Sequence, residues 1–160
     1  MSEEENLTPC FIADAMLGKL ARWLRVLGYD TLYLQGDDHV IAARTRAEGR
    51  ILLTRDTELS RRKGLSVILI KSQVLQEQLT QVMHHVTPPL QQRPSRCMKC
   101  NGSLTILSPE QARSLVPPYV AQTQNIFHQC KICGQMYWRG THWQNILMVR
   151  DPVVNRIQGE

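Results

Sequence analysis

The sequence predicts an α/β protein, with a small, mainly parallel sheet covered by helices on both faces and then a compact module built around paired cysteines. Three observations predict it. Short runs rich in Ile, Val, Leu and Tyr alternate with helix-spaced apolar patterns through about the first 90 residues. A proline-rich polar stretch at residues 88–96 then interrupts that alternation and reads as a linker. Beyond it, four of the five cysteines fall into two Cys-x-x-Cys pairs.

The runs FIA (11–13), TLYL (31–34), ILL (51–53) and VILI (67–70) have strand length and strand composition. Between the first two, Leu17, Leu20, Ala21, Leu24 and Leu27 recur at helical spacing, and Gly28 supplies a stop. A second helix begins with Ile41 and Ala42, with Asp37 or Asp38 as its N-cap and Gly49 just past its end. A third places Leu75, Leu79, Met83 and Val86 on one face and ends at Pro88-Pro89. Strands that alternate with helices must be joined by crossovers, which makes the sheet parallel and buries both of its faces. The boundaries read as an α/β domain over 10–90, a cysteine module over 91–150, and tails at 1–9 and 151–160. Within the module, LTIL (104–107) is a further strand, and Pro109 and Pro117-Pro118 mark an insert.

Composition narrows the class. With 42% apolar and 21% charged residues the chain is globular rather than disordered. No run approaches the roughly 18–20 apolar residues of a membrane span, and the opening MSEEENLTPC lacks an apolar signal core. The expected setting is the cytoplasm, without a membrane partner. There the cysteines stay reduced and a disulfide framework is excluded. A net charge of +5 permits an anionic partner without requiring one.

Asp14 follows FIA directly, Asp37 and Asp38 lie shortly after TLYL, and Asp56 follows ILLT by one arginine. In a parallel sheet the carboxyl ends of the strands share one edge, where ligands bind. Carboxylates gathered there repel unless protonated or neutralised. Mg²⁺ or Mn²⁺, which prefer oxygen ligands, would neutralise them and grip a phosphodiester. Each aspartate alone also suits a helix N-cap, and their joint placement is what points to a metal site. Glu58 is a weaker extra acid. Asp30 precedes its strand and takes a structural role at the opposite edge, while Glu48 is solvated. Lys19, Arg22, Arg25 and Arg55 flank the acids and could contact phosphates. Arg61, Arg62 and Lys63 extend that basic character.

Cys97-Met98-Lys99-Cys100 and Cys130-Lys131-Ile132-Cys133 have the spacing of two zinc knuckles, each aiming two thiolates at one Zn²⁺. Asn101-Gly102 and Gly134 suit the positive φ of such turns. Four sulfurs close the coordination sphere, so this zinc folds the module rather than catalyses. His128 and His142 are then structural or RNA-facing, and Cys10 is a buried apolar residue. The segment around Trp138 and Arg139 mixes aromatics with donors, and suits either base stacking or packing between the two units.

FIADAMLGKLARWLRVLGYDT, GRILLTRD, the two cysteine pairs and YWRGTHW together resemble the Mut-seven C-terminal RNase family over roughly residues 10–148. That resemblance implies a PIN-like fold joined to a zinc ribbon, and metal-dependent RNA cleavage through clustered acids. Carried over by position, the acids are Asp14, the Asp37/Asp38 pair with Asp38 favoured, and Asp56. The zinc ligands are Cys97, Cys100, Cys130 and Cys133. A fourth acid common in PIN domains has no clear counterpart. The expectation is a ribonuclease that uses Mg²⁺ or Mn²⁺ on RNA. The alternative is a non-catalytic RNA-binding or adaptor protein.

Overall fold

The computed structural model describes residues 9–85 and 94–138. Four parallel strands, β1 (Phe11–Ala13), β2 (Thr31–Tyr33), β3 (Ile51–Thr54) and β4 (Ser66–Leu69), form a sheet in the order β2-β1-β3-β4. Phe11 is level with Thr31 on one side and Ile51 on the other, and Leu52 is level with Val67. The expected α/β class therefore holds.

Side-chain alternation along the strands sends residues to two cores. Phe11, Ala13, Leu53, Ile68 and Ile70 meet helices α1 (Gly18–Val26) and α4 (Leu75–His84) through Leu20, Leu24, Leu79 and Val82. Ile12 and Leu52 face the other way, against Ile41 of α2 (Asp38–Glu48) and Leu59 of the single-turn α3 (Thr57–Ser60). Each fully buried Leu or Ile contributes about 1.5–3 kcal/mol relative to exposure, so both helical layers are needed to hold the central strand β1.

Local chemistry sets the ends of these helices. The expected first helix opens with a 3-10 turn at Ala15–Leu17, because the Asp14 carboxylate accepts the Met16 N–H and tightens the chain. Gly49 (φ 63°) ends α2 in the left-handed conformation, as a glycine there can. Val86 and Pro88-Pro89, expected on or beyond the third helix, lie outside the described residues. Among the described residues no helix is long and apolar enough to cross a membrane.

The C-terminal part carries an antiparallel sheet of β5 (Leu104–Leu107), β6 (Phe127–Cys130) and β7 (Met136–Trp138). Two short helices, α5 (Pro109–Ala112) and α6 (Pro118–Thr123), fill the proline-marked insert. Ala112, Val116, Val120 and Phe127 form a small core, and Trp138 packs against it.

This module docks on α1 and β2 by hydrogen bonds. Residues 94–96, read from sequence as linker, are tied down. Ser95 Oγ donates to Val26 O (2.6 Å), a carbonyl that the last turn of α1 leaves open, and Arg96 N adds a second bond to Arg25 O (2.8 Å), which also accepts the Gly28 N–H (3.0 Å). Asn101 accepts the Thr31 N–H at the start of edge strand β2 (3.0 Å) and donates to Asp30 (2.7 Å). Arg50 donates to the same Asp30 oxygen at 2.9 Å. The edge of β2 is thereby covered at its N-terminal end, opposite the acids.

Candidate active site and metal centre

The chain passes from β1 to β2 on one side and returns to β3 on the other, so the strand order reverses between β1 and β3. In open α/β sheets the crevice beyond the strand ends at such a reversal is where ligands bind. Asp14 and Asp56 flank this crevice. Asp14 is only 7% exposed, with its N–H on Leu53 O of the neighbouring strand (3.2 Å). Its carboxylate accepts from Met16 N and from the Thr54 hydroxyl. The same hydroxyl oxygen accepts the Asp56 N–H (3.0 Å). Thr54 thus links the two acids, a role the sequence reading missed. Its only advance signal was its place at the end of ILLT, one strand away from Asp14.

Asp56 sits at the N-cap of α3 and accepts from Glu58 N (2.9 Å) and Leu59 N (3.2 Å). Asp37 occupies the N-cap position of α2 without a side-chain cap bond, and Asp38 begins the helix. Neither carboxylate makes a hydrogen bond or ion pair among the described residues. Asp14, Asp37, Asp38 and Asp56 each follow the carboxyl end of a parallel strand in the chain. No three of their carboxylates, however, come within 4.8 Å of one another among the described residues, a spacing that only the cysteine group meets. Cap bonds hold Asp14 and Asp56 in place. Glu58 is exposed in the first turn of α3.

The four sulfurs of Cys97, Cys100, Cys130 and Cys133 lie within 4.8 Å of one another. Cys97 and Cys133 are 3.6 Å apart, and Cys100 and Cys130 3.4 Å. A tetrahedral ion with Zn–S bonds of about 2.3 Å sets sulfurs roughly 3.8 Å apart, so the group can hold zinc with little adjustment. Asn101 N closes the first knuckle on Cys97 O (2.8 Å), and Gly134 N closes the second on Cys130 O (3.1 Å). Asn101 (φ 72°) and Gly134 (φ 78°) are both left-handed. A Cβ at Gly102 would lie 2.8 Å from Cys130 Sγ, so the cradle requires glycine there.

The thiols are unequal. Burial works against the Cys130 thiolate, but the Cys133 and Ile132 N–H groups and Cys100 outweigh it and lower its pKa to about 6. Burial and the contact with Cys130 push Cys100 up to about 12. Tyr137 Oη accepts the Met98 N–H and lies 3.1 Å from Cys97 Sγ, which braces the first knuckle.

A family model described as "Mut7-C RNAse domain" matches residues 9–149. This chain belongs to the Mut7-C RNAse domain family. No curated protein and no solved structure matches it. The family description gives the Mut7-C chain a nuclease-like role, and the matched span takes in both the acid edge and all four cysteines.

The basic residues divide within this Mut7-C fold. Lys19 and Arg22 are exposed on α1. Arg25, expected to face phosphate, is instead 8% exposed and donates to Thr31 O (2.9 Å) and Met98 O (2.8 Å). The cysteine module covers it, so its side chain joins the two units. Arg55 is half-buried and donates to Ser72 O (3.2 Å). Trp138 is half-buried against the module's own core, and Arg139 and His142 lie outside the described residues. His128 is half-buried in β6 and lies apart from the four-sulfur group. Cys10 is half-buried rather than buried, and desolvation raises its thiol pKa. Glu48 is exposed as expected, but pairs with Arg44 (2.6 Å) and Arg50 (3.0 Å).

Proposed function

We propose that this chain is a metal-dependent ribonuclease that hydrolyses RNA phosphodiesters at the β1–β3 crevice. In this reading the cysteine module, folded by zinc, aids RNA binding. The observation that carries the reading is Asp14. Its carboxylate is buried at the ligand-binding edge, yet only neutral donors reach it and no cationic side chain pairs with it among the described residues. A buried carboxylate without a cation is costly unless something positive completes its surroundings. The donor set of Asp14, Asp38 and Asp56 is all oxygen, which fits Mg²⁺ or Mn²⁺. Bound there, such an ion would neutralise phosphodiester charge and acidify water.

The chain's own residues do the rest. Thr54 fixes the direction of Asp14, the N–H groups of α3 orient Asp56, and Asp37 and Asp38 keep free carboxylates to complete the site. Exposed Lys19 and Arg22 attract the anionic strand. A cytoplasmic setting, where thiols stay reduced, suits a zinc module of four thiolates. A second reading, a non-catalytic RNA-binding or adaptor protein, is favoured by the separation of the carboxylates noted above.

Incubation of zinc-loaded wild type and Asp14→Asn with total cellular RNA, with and without Mn²⁺, separates the two. The expected result is Mn²⁺-dependent cleavage that falls roughly a hundredfold or more in the variant, with fold and RNA retention preserved. RNA retained but uncut under both conditions overturns the ribonuclease and leaves the adaptor.

A further inference from the structure

A groove of about 500 Å³ runs between α1, the edge strand β2 and the first cysteine knuckle. Gly18 and Tyr33 line one end, Arg22 and Arg25 the middle, and Lys99 and Tyr137 the other end. Its first end adjoins the acid edge. Tyr33 Oη donates to Ala15 O (2.7 Å), the residue next to Asp14. The Tyr33 ring lies over Gly18, where a Cβ would stand 3.4 Å from Cζ, and remains 37% exposed.

The charge in this groove has one sign. Arg22 and Lys99 are exposed and enter no ion pair among the described residues, and no carboxylate lines the groove. Arg25 Nε and Nη1 donate to carbonyls, and its charge stays. A basic channel with an exposed aromatic face is the arrangement that holds single strands, through phosphate contacts and base stacking. A duplex keeps its bases inside and offers nothing for Tyr33 to stack on.

We propose that this groove binds single-stranded RNA and leads it from the cysteine module to the acid edge, with Arg22 and Lys99 on phosphates and Tyr33 under a base. The proposal rests on the RNA reading above, but concerns binding rather than cleavage. It makes the docked module one wall of the substrate path, and assigns Lys99 and Tyr33 to it.

The test uses the zinc-loaded full chain without Mg²⁺ or Mn²⁺ and a fluorescein-labelled single-stranded oligouridylate, read by anisotropy over a salt series. The Arg22→Gln/Lys99→Gln pair is expected to weaken binding at least about tenfold. It should also flatten the log–log salt slope by about 1.4, the loss of two phosphate contacts on a single strand. Tyr33→Ala is expected to weaken binding about fivefold or more, and Tyr33→Phe to restore it. The Arg46→Gln/Arg113→Gln pair carries the same net charge change outside the groove and should leave the slope as in wild type. Wild type that does not bind the oligomer, an unchanged slope in the Arg22/Lys99 pair, or equal displacement by polyglutamate overturns the groove. Cleavage by wild type together with an unchanged slope sinks the groove alone. Binding lost in the pair from a wild type that never cuts RNA sinks the ribonuclease alone.

Discussion

At the scale of single residues, Thr54 connects the two acids that the crevice depends on. Thr54→Val removes the hydroxyl and leaves a buried carboxylate with one donor fewer. The expected cost is about 1–3 kcal/mol in urea unfolding, with a fall in RNA cleavage, and Thr54→Ser should recover both. Asp30 gives a pH signature instead. Burial acts to raise its pKa, but hydrogen bonds from Arg50 and Asn101 overcome that and lower it. A carboxyl whose folded pKa lies below its unfolded value contributes stability that is present above the unfolded pKa and lost as pH falls through the folded one. Stability is therefore expected to drop below about pH 4, and less steeply in Asp30→Asn. Urea midpoints measured across that range check it, and an identical profile in the variant would refute it.

Among elements, the junction of α1 with the first knuckle explains why a residue of ordinary helix-surface type is buried. Arg25 fits a solvent-facing helical position by sequence, but its guanidinium satisfies Thr31 O and Met98 O across two units. Arg25→Lys loses the planar fork that spans both carbonyls and is expected to destabilise the chain in urea, where a surface arginine would tolerate the change. In the knuckle itself, Gly102→Ala drives a methyl to within 2.8 Å of Cys130 Sγ. Zinc affinity, measured by competition with a chromophoric chelator, should fall while the α/β sheet keeps its circular dichroism. The sheet elements were legible because FIA, TLYL, ILL and VILI are apolar or β-branched runs between helical periods, although the fourth strand runs Ser66–Leu69, one residue earlier than VILI. β6 and β7 were not, because FHQC and MYW mix sulfur, polar and aromatic residues whose pairing depends on the knuckles.

For the whole molecule, the two units differ in what holds them together. The α/β sheet has an apolar core on each face. The module has one small cluster and four thiols. Zinc removal by a chelator is therefore expected to open the module to limited proteolysis while the α/β part stays resistant. It should also weaken oligouridylate binding, since Lys99 and Tyr137 hang on the first knuckle. Equal protease resistance with and without metal would remove zinc from the account of folding.

Much of this was settled by the chain itself. Strand-and-helix alternation fixed a parallel sheet, parallelism fixed a common edge for Asp14, Asp38 and Asp56, and two Cys-x-x-Cys turns fixed four converging sulfurs. Each follows from spacing along a few turns or strands, which sequence records directly. Tertiary structure alone decided the Thr54 link between Asp14 and Asp56, the burial of Arg25 and the groove shared by Tyr33 and Lys99. Asp14 and Thr54, Arg25 and Met98, and Tyr33 and Lys99 stand tens of positions apart, and which atoms meet depends on how strands lie side by side and how one unit seats against the other.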